Sequence, residues 1–327
     1  MKPEIERTLE VYKKLFKLNE MELAARGAQI LSEVEKYNPR YVQMMESMGQ
    51  GAGMPAALIA VLNARTELLH EAQARGLQPG HECASVALPG ARMLGQNWDW
   101  IESLNPLMFL VDATAPDGHR VLTLTEPGIL GKIGMNSAGI GVCLNILPGK
   151  PPYNGVPVHI LLRSVRDSKS IDEALHHIQR AQPGTSSSIL VADSQGRGFC
   201  AEIGGSKIHI EHFNGDSPMV RANEFEYLYL DEPVPPVFED SPIRHKRAGD
   251  MVEESGARQG EELMDRVLAS RDDPGNNILA QFEDVGPDLG RVGSLASVKM
   301  YLASGKMLIR RPNPIQNNEE YTTHSLR

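Results

Sequence analysis

The chain has 327 residues, of which 41% are hydrophobic and 23% are charged. This length and balance are typical of a globular protein with a full core, folded as one large domain or two small ones. The formal net charge of -9, with no block of Lys and Arg, argues against a nucleic acid or an anionic membrane surface as a partner.

Targeting signals and cysteine usage point to the cytoplasm. No apolar run approaches the roughly 18 residues that span a bilayer, and the first seven residues carry acids where a signal peptide is basic and then apolar. Cys83, Cys143 and Cys200 are widely spaced and form no CxxC pair, which excludes a structural zinc knuckle. We therefore expect a cytoplasmic enzyme that has neither a metal nor a cofactor.

The first 69 residues are predicted to form helices, because apolar side chains recur at helical spacing. One such stripe consists of Ile5, Leu9, Tyr12 and Phe16. A later helix begins at Asn38-Pro39 and is broken by the glycine-rich residues 49–53. Arg65 and Glu67 are interpreted as an internal structural pair. Residues 70–82 are polar and turn-rich, which indicates an exposed linker.

Cys83 stands where the chain changes from helices to strands. Residues 83–88 are predicted to form a strand, Pro89-Gly90 a turn and residues 92–94 the returning strand. The polar stretch Gln96-Asn-Trp-Asp-Trp100 then arrives beside Cys83. A thiol at a strand tip with a carboxylate folded against it suggests a nucleophile and its orienting partner. A buried core cysteine is the structural alternative.

Strands dominate the rest of the chain. Two hairpins are predicted over residues 107–125 and 129–144, followed by helices beginning at Pro157 and at a capping box that starts at Ser170. Strands at 188–192, 198–203, 207–212 and 219–222 are predicted to form one antiparallel meander, because no helix separates them. Two helices, at 243–254 and 261–270, precede a final strand pair at 295–302 and 306–310.

The stretch from Cys83-Ala-Ser-Val to Gly95-Gln-Asn-Trp-Asp-Trp100 resembles the acyl-coenzyme A:6-aminopenicillanic acid acyltransferase family, also called the C45 peptidases. Those proteins are N-terminal nucleophile (Ntn) hydrolases, made as precursors that cut themselves before a cysteine. The resemblance implies an α+β fold, a four-layer αββα sandwich of two antiparallel sheets. It also implies cleavage between Glu82 and Cys83, with residues 1–82 as a helical prosegment or small subunit and 83–327 as the catalytic subunit.

The resemblance also assigns roles to residues of this chain. Cys83 is the implied nucleophile, Asp99 the carboxylate that orients its new α-amine, and Asn223 the side-chain donor of the oxyanion hole. Arg291 matches an arginine near the site, and Ser85 stands on the substrate side of the same strand as Cys83. Each of three roles has a structural alternative. Asp99 could cap a turn, Asn223 could end a strand, and Arg291 could form a surface salt bridge.

The thiol of Cys83 needs a base, because an unperturbed cysteine with a pKa of about 8.5 is only slightly ionised at pH 7. His81 lies too close along the strand and would leave with the prosegment, and no other histidine has a polar sequence neighbourhood suited to a triad. An α-amine, with a pKa of about 7.7–8.0, is the expected base after cleavage.

We therefore expect a self-cleaving N-terminal-cysteine amidohydrolase or acyltransferase that acts on a small N-acyl amide or acyl thioester through a thioester at Cys83. The absence of a visible nucleotide loop for coenzyme A favours hydrolysis. The two cleavage fragments should stay together as a heterodimer, with any further oligomerisation left open. The alternatives are an uncut thiol hydrolase or acyltransferase with a histidine base, and a non-catalytic relative that acts as a binding protein.

Overall fold

The computed structural model describes residues 1–73, 83–149, 154–215, 217–228, 239–271, 276–311 and 320–326. The N-terminal residues fold into helices α1 Lys2–Phe16, α2 Glu20–Tyr37, α3 Pro39–Ala52, α4 Ala56–Asn63 and α5 Arg65–Gln73. The predicted stripe of Ile5, Leu9, Tyr12 and Phe16 is buried, as expected. None of the helices in the described ranges is long and apolar enough to cross a membrane.

Local signals place most of the helix ends. Asn19 and Glu22 form a capping box at the start of α2, and Asn38 caps α3, which has Pro39 in its first turn. The glycine-rich stretch ends α3 later than predicted, because Gly53 alone takes the left-handed conformation, with a φ of 61°. Residues 70–73 of the predicted linker are the last turn of α5. The remaining linker residues, 74–82, lie outside the described part of the chain.

The strands form two antiparallel sheets. In chain order they are β1 Ala84–Leu88, β2 Met93–Ile101, β3 Phe109–Thr114, β4 Arg120–Thr125, β5 Ile133–Asn136, β6 Ile140–Ile146, β7 Ser187–Asp193, β8 Arg197–Gly204, β9 Lys207–Asn214, β10 Met219–Arg221, β11 Glu283–Asp284, β12 Arg291–Tyr301, β13 Lys306–Arg310 and β14 Thr322–Ser325. A short 3-10 helix, Glu102–Leu107, follows β2. The first sheet has the order β10-β1-β2-β12-β13-β14, with β11 beside β12, and the second runs in chain order from β3 to β9.

The meander predicted from residue 188 onward is wrong at its last strand. β7, β8 and β9 are neighbours in the second sheet, but β10 crosses to the first sheet and pairs with β1. The pattern of short strands separated by turns predicts each strand but carries no signal for a change of sheet. The crossing matters because Ser85 pairs with Arg221. Continuing that antiparallel register by two residues brings Cys83 and Asn223 together.

Helices cover the outer faces of both sheets, so the predicted αββα sandwich is confirmed. Helices α6 Val158–Asp167 and α7 Ile171–Gln179 pack on the second sheet, and α8 Ser241–Ser255 and α9 Glu261–Leu268 pack on the first. Val86, Leu88, Met264 and Leu268 belong to the core between the first sheet and its helices. β2 has a glycine at position 95 there, where a Cβ atom would stand only 2.4 Å from Met264 Sδ.

The N-terminal helices share the main hydrophobic core with the sandwich and are fixed to it by buried hydrogen bonds. Asn63 donates from Nδ2 to the carbonyl of Gly128 (2.8 Å) and accepts from the N–H of Leu130 (2.9 Å). The hydroxyl of Tyr37 donates to the carbonyl of His177 (3.0 Å). Because buried polar groups are costly to leave unpaired, these contacts hold the helices in one place on the sandwich.

Candidate active site

Cys83 stands immediately before β1 and is only 6% exposed. It lines a cavity of about 30 Å³ to which both sheets and α5 contribute. The other lining residues are Arg65, Thr66, Leu69, His70, Gln73, Gln96, Trp98, Asp99, Trp100, Lys132, Ile133, Leu144 and Ile146. Glu82, on the other side of the proposed scissile bond, lies outside the described residues.

Two side chains hold the backbone carbonyl of Cys83. Asn145 donates to it from Nδ2 (2.9 Å), and Arg244 donates from a terminal guanidinium nitrogen (3.1 Å). Ser85, which the resemblance places on the substrate side of the strand, donates its hydroxyl proton to Asn145 Oδ1 (2.5 Å) and is buried. The structure therefore places Ser85 in contact with Asn145, where it fixes the orientation of the amide that binds Cys83.

Asn223 lies at the tip of the neighbouring strand, just after β10, and is fully buried. Its Nδ2 donates one hydrogen bond to the carbonyl of Ile146 (2.8 Å), and its Oδ1 accepts one from Arg244 (3.1 Å). A primary amide carries two N–H groups, and the bond to Ile146 uses one of them. The side chain is thus held from both ends beside the backbone of Cys83.

Arg244 is the residue that sequence reasoning missed. Its two terminal guanidinium nitrogens reach Cys83 and Asn223, while its Nε donates to Asp240 Oδ2 (2.7 Å). A guanidinium presents its donors in a fixed planar fork, so one side chain sets the spacing between the two groups. Arg244 lies in a predicted helix with charged neighbours, and its sequence context alone does not distinguish it from a surface residue.

Asp99 lies in β2 and lines the same cavity as Cys83. Ser294 donates its hydroxyl proton to Asp99 Oδ1 (2.5 Å). Burial raises the pKa of Asp99 from its ordinary 3.8 to about 7, although the bond from Ser294 and the positive charge of Arg244 act in the opposite direction. The carboxyl group of Asp99 is therefore readily protonated in the uncut chain.

Arg291 does not join this group. It begins β12, is about half exposed, and forms a salt bridge of 3.0 Å with Glu102. The guanidinium of Arg291 also donates to the carbonyl of Phe282 (3.0 Å). This is the surface ion pair that stood as the structural alternative for Arg291, and the arginine that contacts Cys83 is Arg244.

A buried charged cluster forms the side of the cavity next to α5. The carboxylate of Glu126 lies 3.1 Å from Arg65 and 3.4 Å from Lys132, and it accepts the hydroxyl proton of Tyr12 (3.0 Å). Burial would raise the pKa of Glu126, but the two cations outweigh it and the pKa is lowered. Burial and the charge of Arg65 hold the pKa of Lys132 well below its usual range. Arg65 thus pairs across the structure with Glu126, a partner that its sequence neighbours do not indicate.

His70 also lines the cavity, which the sequence context of the histidines does not predict. Its Nδ1 lies 2.5 Å from Thr185 Oγ1. Burial lowers the pKa of His70 from 6.5 to about 4, so the ring is neutral at physiological pH and is a weak base. His70 comes from α5, within the segment that the proposed cleavage separates from Cys83.

A second polar cluster lies on the segment that follows Asn223. His245, in α8, contacts Glu224 Oε1 through Nδ1 (2.7 Å) and Glu226 Oε1 through Nε2 (3.2 Å). In the described part of the chain this is the cluster whose spacing would suit a metal ion. Each ring nitrogen faces a carboxylate oxygen; burial acts to lower the pKa of His245, but Glu224 and Glu226 together raise it. The cluster is an ion pair that fixes the segment carrying Asn223.

Known proteins with similar sequences identify the family. The family model for acyl-coenzyme A:6-aminopenicillanic acid acyl-transferase matches residues 86–315, well over half of the chain. The chain belongs to this family. A curated relative, the 40 kDa form of acyl-coenzyme A:6-aminopenicillanic-acid-acyltransferase from Emericella nidulans, is 32% identical over 172 residues. That alignment covers 50% of this chain and 46% of the relative, so the chain spans about half of the relative's length.

Solved structures agree on the fold. A variant of the conjugated bile acid hydrolase from Clostridium perfringens superposes with a TM-score of 0.51 at 13% identity, covering 75% of this chain and 97% of that one. A second variant of the same hydrolase gives the same TM-score and identity, with 75% and 92% covered. At this identity the likeness shows the fold alone, and that fold is the Ntn hydrolase sandwich that the resemblance implied.

The raised pKa of Asp99 predicts that Asp99→Asn stabilises the uncut chain at neutral pH. Between the unfolded-state pKa of about 3.9 and the folded-state pKa of about 7, the folded protein keeps a proton on Asp99 that the unfolded protein has lost. Wild-type stability therefore falls as pH rises through that window. The stability gain of Asp99→Asn should therefore widen over the same range. Urea unfolding at several pH values, in a Cys83→Ala background, measures it.

The control for this prediction is Asp117→Asn, because Asp117 is an exposed carboxylate paired with Lys169 (2.7 Å), which lowers its pKa. That variant should show no gain as pH rises. A stability difference for Asp99→Asn that does not change with pH would show that the carboxyl group of Asp99 is not destabilised by burial.

The contacts of His245 with its two carboxylates predict a second contribution to stability that, like that of Asp99, falls as pH rises. Burial lowers the pKa of His245, but Glu224 and Glu226 together raise it above 6.5. The stabilisation is then complete below about 6.5 and is lost as pH rises through the folded-state pKa. His245→Gln should therefore cost most stability at acidic pH, measured by urea unfolding against the exposed-site control His176→Gln. Equal losses at all pH values would rule out a charged imidazole.

Proposed function

We propose that the protein is a self-cleaving Ntn cysteine enzyme of the C45 type, an amidohydrolase or acyltransferase that acts on N-acyl amides through a thioester at Cys83. The observation that carries the proposal is the fork of Arg244, which holds the backbone of Cys83 and the amide of Asn223 together beside a cavity that also contains Asp99. The names of the relatives, an acyltransferase and a bile acid hydrolase, support the same class of reaction.

The proposed first reaction is the cleavage of the chain itself. The thiol of Cys83 attacks the carbonyl carbon of Glu82, and the peptide nitrogen leaves that carbon as the new α-amine of Cys83. Water then hydrolyses the resulting thioester, which leaves a carboxylate on Glu82 and restores the thiol. The contacts to the carbonyl of Cys83 support this step, because they fix the residue that follows the scissile bond while that bond rearranges.

In the proposed turnover, the α-amine takes the thiol proton, directly or through a water, and the sulfur attacks the carbonyl carbon of the substrate amide. The second N–H of Asn223 donates to the oxygen as negative charge develops there. The leaving amine takes a proton and departs, and the acyl group remains on Cys83 as a thioester. Water releases it as a carboxylic acid, or an acceptor amine releases it as a new amide.

Asp99 has a clear electrostatic part in this scheme. A buried carboxyl group with a pKa of about 7 ionises more readily beside a cation, and the α-ammonium of Cys83 would be such a cation. The pair would hold the amine in one orientation next to the thiol. In this proposal Ser85 acts through Asn145, and Arg291 takes no part.

The proposed biological unit is a heterodimer of the fragments 1–82 and 83–327. The buried contacts of Tyr12, Tyr37, Asn63 and Arg65 with the sandwich support retention of the small fragment. The three buried cysteines, none of them in a disulfide, are consistent with the cytoplasm as the proposed compartment. The substrate is proposed to be a small N-acyl amide or acyl thioester.

His70 gives the alternative of an uncut thiol enzyme a specific candidate base. It lines the cavity with Cys83, and Thr185 holds its Nδ1. Its lowered pKa of about 4 makes it a poor proton acceptor at neutral pH, which is why we favour the α-amine. If the uncut chain turned over substrate, and His70→Gln removed that turnover while the protein stayed folded, the alternative would be supported.

Self-cleavage predicts two masses for the purified protein, corresponding to residues 1–82 and 83–327, that elute together from a sizing column. Cys83→Ala should remain one chain, because no thiol is left for the acyl shift. Cys143→Ala is the matched control, since it removes another buried thiol and should be cleaved normally. Intact-mass spectrometry measures all three proteins. A fully active wild-type protein that shows only the uncut mass would refute the proposal.

The oxyanion role predicts that Asn223→Ala lowers kcat about 10²–10³-fold, the usual loss for one donor. It should also slow self-cleavage, so kcat is measured per cleaved molecule, with folding checked by circular dichroism. Asn214→Ala, at an exposed asparagine that ends β9, is the control and should keep wild-type kcat. If Asn223→Ala kept nearly the wild-type kcat, a group other than Asn223 would have to donate the hydrogen bond to the oxyanion.

A further inference from the structure

One wall of the cavity at Cys83 comes from the N-terminal helical segment. Thr66, Leu69, His70 and Gln73 of α5 all line it, together with Arg65 at the start of the helix. These positions follow helical spacing, so one face of α5 is turned towards Cys83. Leu68, although fully buried, is not among the lining residues.

The wall is fixed by polar contacts at several points along α5. Glu67 accepts the N–H of Val158 (2.9 Å) at the start of α6, and Arg65 pairs with Glu126 (3.1 Å). His70 contacts Thr185 (2.5 Å) just before β7. Buried side-chain contacts between Arg65 and His70 resist displacement of this part of the helix, so a ligand at Cys83 meets a firm surface.

The cavity is small, and its lining combines polar and charged side chains with apolar ones. Its volume of about 30 Å³ is about two to three times the roughly 10–15 Å³ that a cavity needs to hold one water molecule. Trp98, Ile133 and Leu144 contribute apolar surface from the two sheets, and Leu69 faces the same space from α5. Surfaces of this kind bind the hydrocarbon part of a ligand, and here they surround the sulfur that would carry an acyl group.

We propose that α5 is part of the substrate site and that Leu69 limits the length of the apolar acyl group that reaches Cys83. This inference rests on the proposed function, because it takes the ligand to be the acyl group of an N-acyl amide. It assigns the small fragment a role in substrate selection that persists after cleavage. The wild-type enzyme is therefore expected to prefer short acyl chains to long ones.

The test compares two neighbouring leucines of the same helix. Leu69→Ala removes side-chain volume from the cavity wall, whereas Leu68→Ala removes the same volume from the core behind it. For straight-chain N-acyl 4-nitroanilides from acetyl to dodecanoyl, Leu69→Ala should raise the ratio of kcat/KM for long over short chains about 10-fold or more, since one methylene in such a pocket is worth about 10–200-fold. Leu68→Ala should keep the wild-type ratio.

A second measurement separates this inference from the proposed function. N-alkyl iodoacetamides of increasing chain length alkylate a thiol with loss of iodide and need no catalytic machinery. Their rates at Cys83, followed by peptide mass spectrometry, should shift towards longer chains in Leu69→Ala alone. If that shift occurs without turnover of any amide, α5 lines the site but the proposed function is wrong.

Two outcomes would overturn the inference itself. One is the same chain-length preference in Leu69→Ala and Leu68→Ala, for whichever reagent reacts. The other is no reaction at Cys83 with any chain in any variant. Should Leu69→Ala fold poorly, Leu69→Phe provides the opposite change, because added bulk at the wall should shift both preferences towards shorter chains.

Discussion

The buried carboxylate of Glu126 is the group on which the arrangement of this molecule most depends. Its two oxygen atoms contact Tyr12 of α1, Arg65 of α5 and Lys132, which immediately precedes β5. Three separate parts of the chain therefore meet at this carboxylate. The indole of Trp100 donates to the hydroxyl of Tyr12 (2.9 Å), which extends the network to β2. Removing one partner of a buried ion pair typically costs about 3–5 kcal/mol. Dissociation of the N-terminal helices would take Arg65 and Tyr12 away from Glu126, so this cost opposes it.

The site itself depends on strand tips that are distant in sequence. Cys83 precedes β1, Asn223 follows β10, and β10 reaches its place only by crossing from one sheet to the other. Backbone pairing brings the two residues into register, and Arg244 from α8 then binds the carbonyl of Cys83 and the side chain of Asn223. Regular secondary structure supplies the rough position, and a planar guanidinium supplies the final spacing. This division explains why the fold can be recognised at low identity while the site depends on single residues.

The elements follow from local pattern and the layers from the family resemblance, whereas the contacts of the site follow from neither. Helical stripes such as Ile5 and Leu9, caps such as Asn38, and turns between short strands are read from neighbouring residues, so they could be predicted. The Cys83 motif and Asp99 were found because they occupy one hairpin. Arg244 was missed because it acts on Cys83, which lies 161 residues away in the chain, and His70 because its contact Thr185 lies 115 residues away. Arg291 was placed at the site by its motif, whereas the structure pairs it with Glu102 at the surface.

Burial shifts the pKa values of the acidic and basic groups around Cys83 in opposite directions, and the proposed cleavage would change which forms are favoured. In the uncut chain the residue before β1 carries no amine, and the low dielectric surroundings raise the pKa of Asp99 while they lower that of Lys132. Both shifts favour neutral groups. Cutting the chain would create an α-ammonium beside Asp99, and an ionised carboxylate would then gain a partner within the same buried space. Attraction between the two would favour the charged form of each, so cleavage and the ionisation of Asp99 are thermodynamically linked. The proposed cut would then be more than the source of the base, because it would also supply the counter-ion that stabilises a buried Asp99 carboxylate.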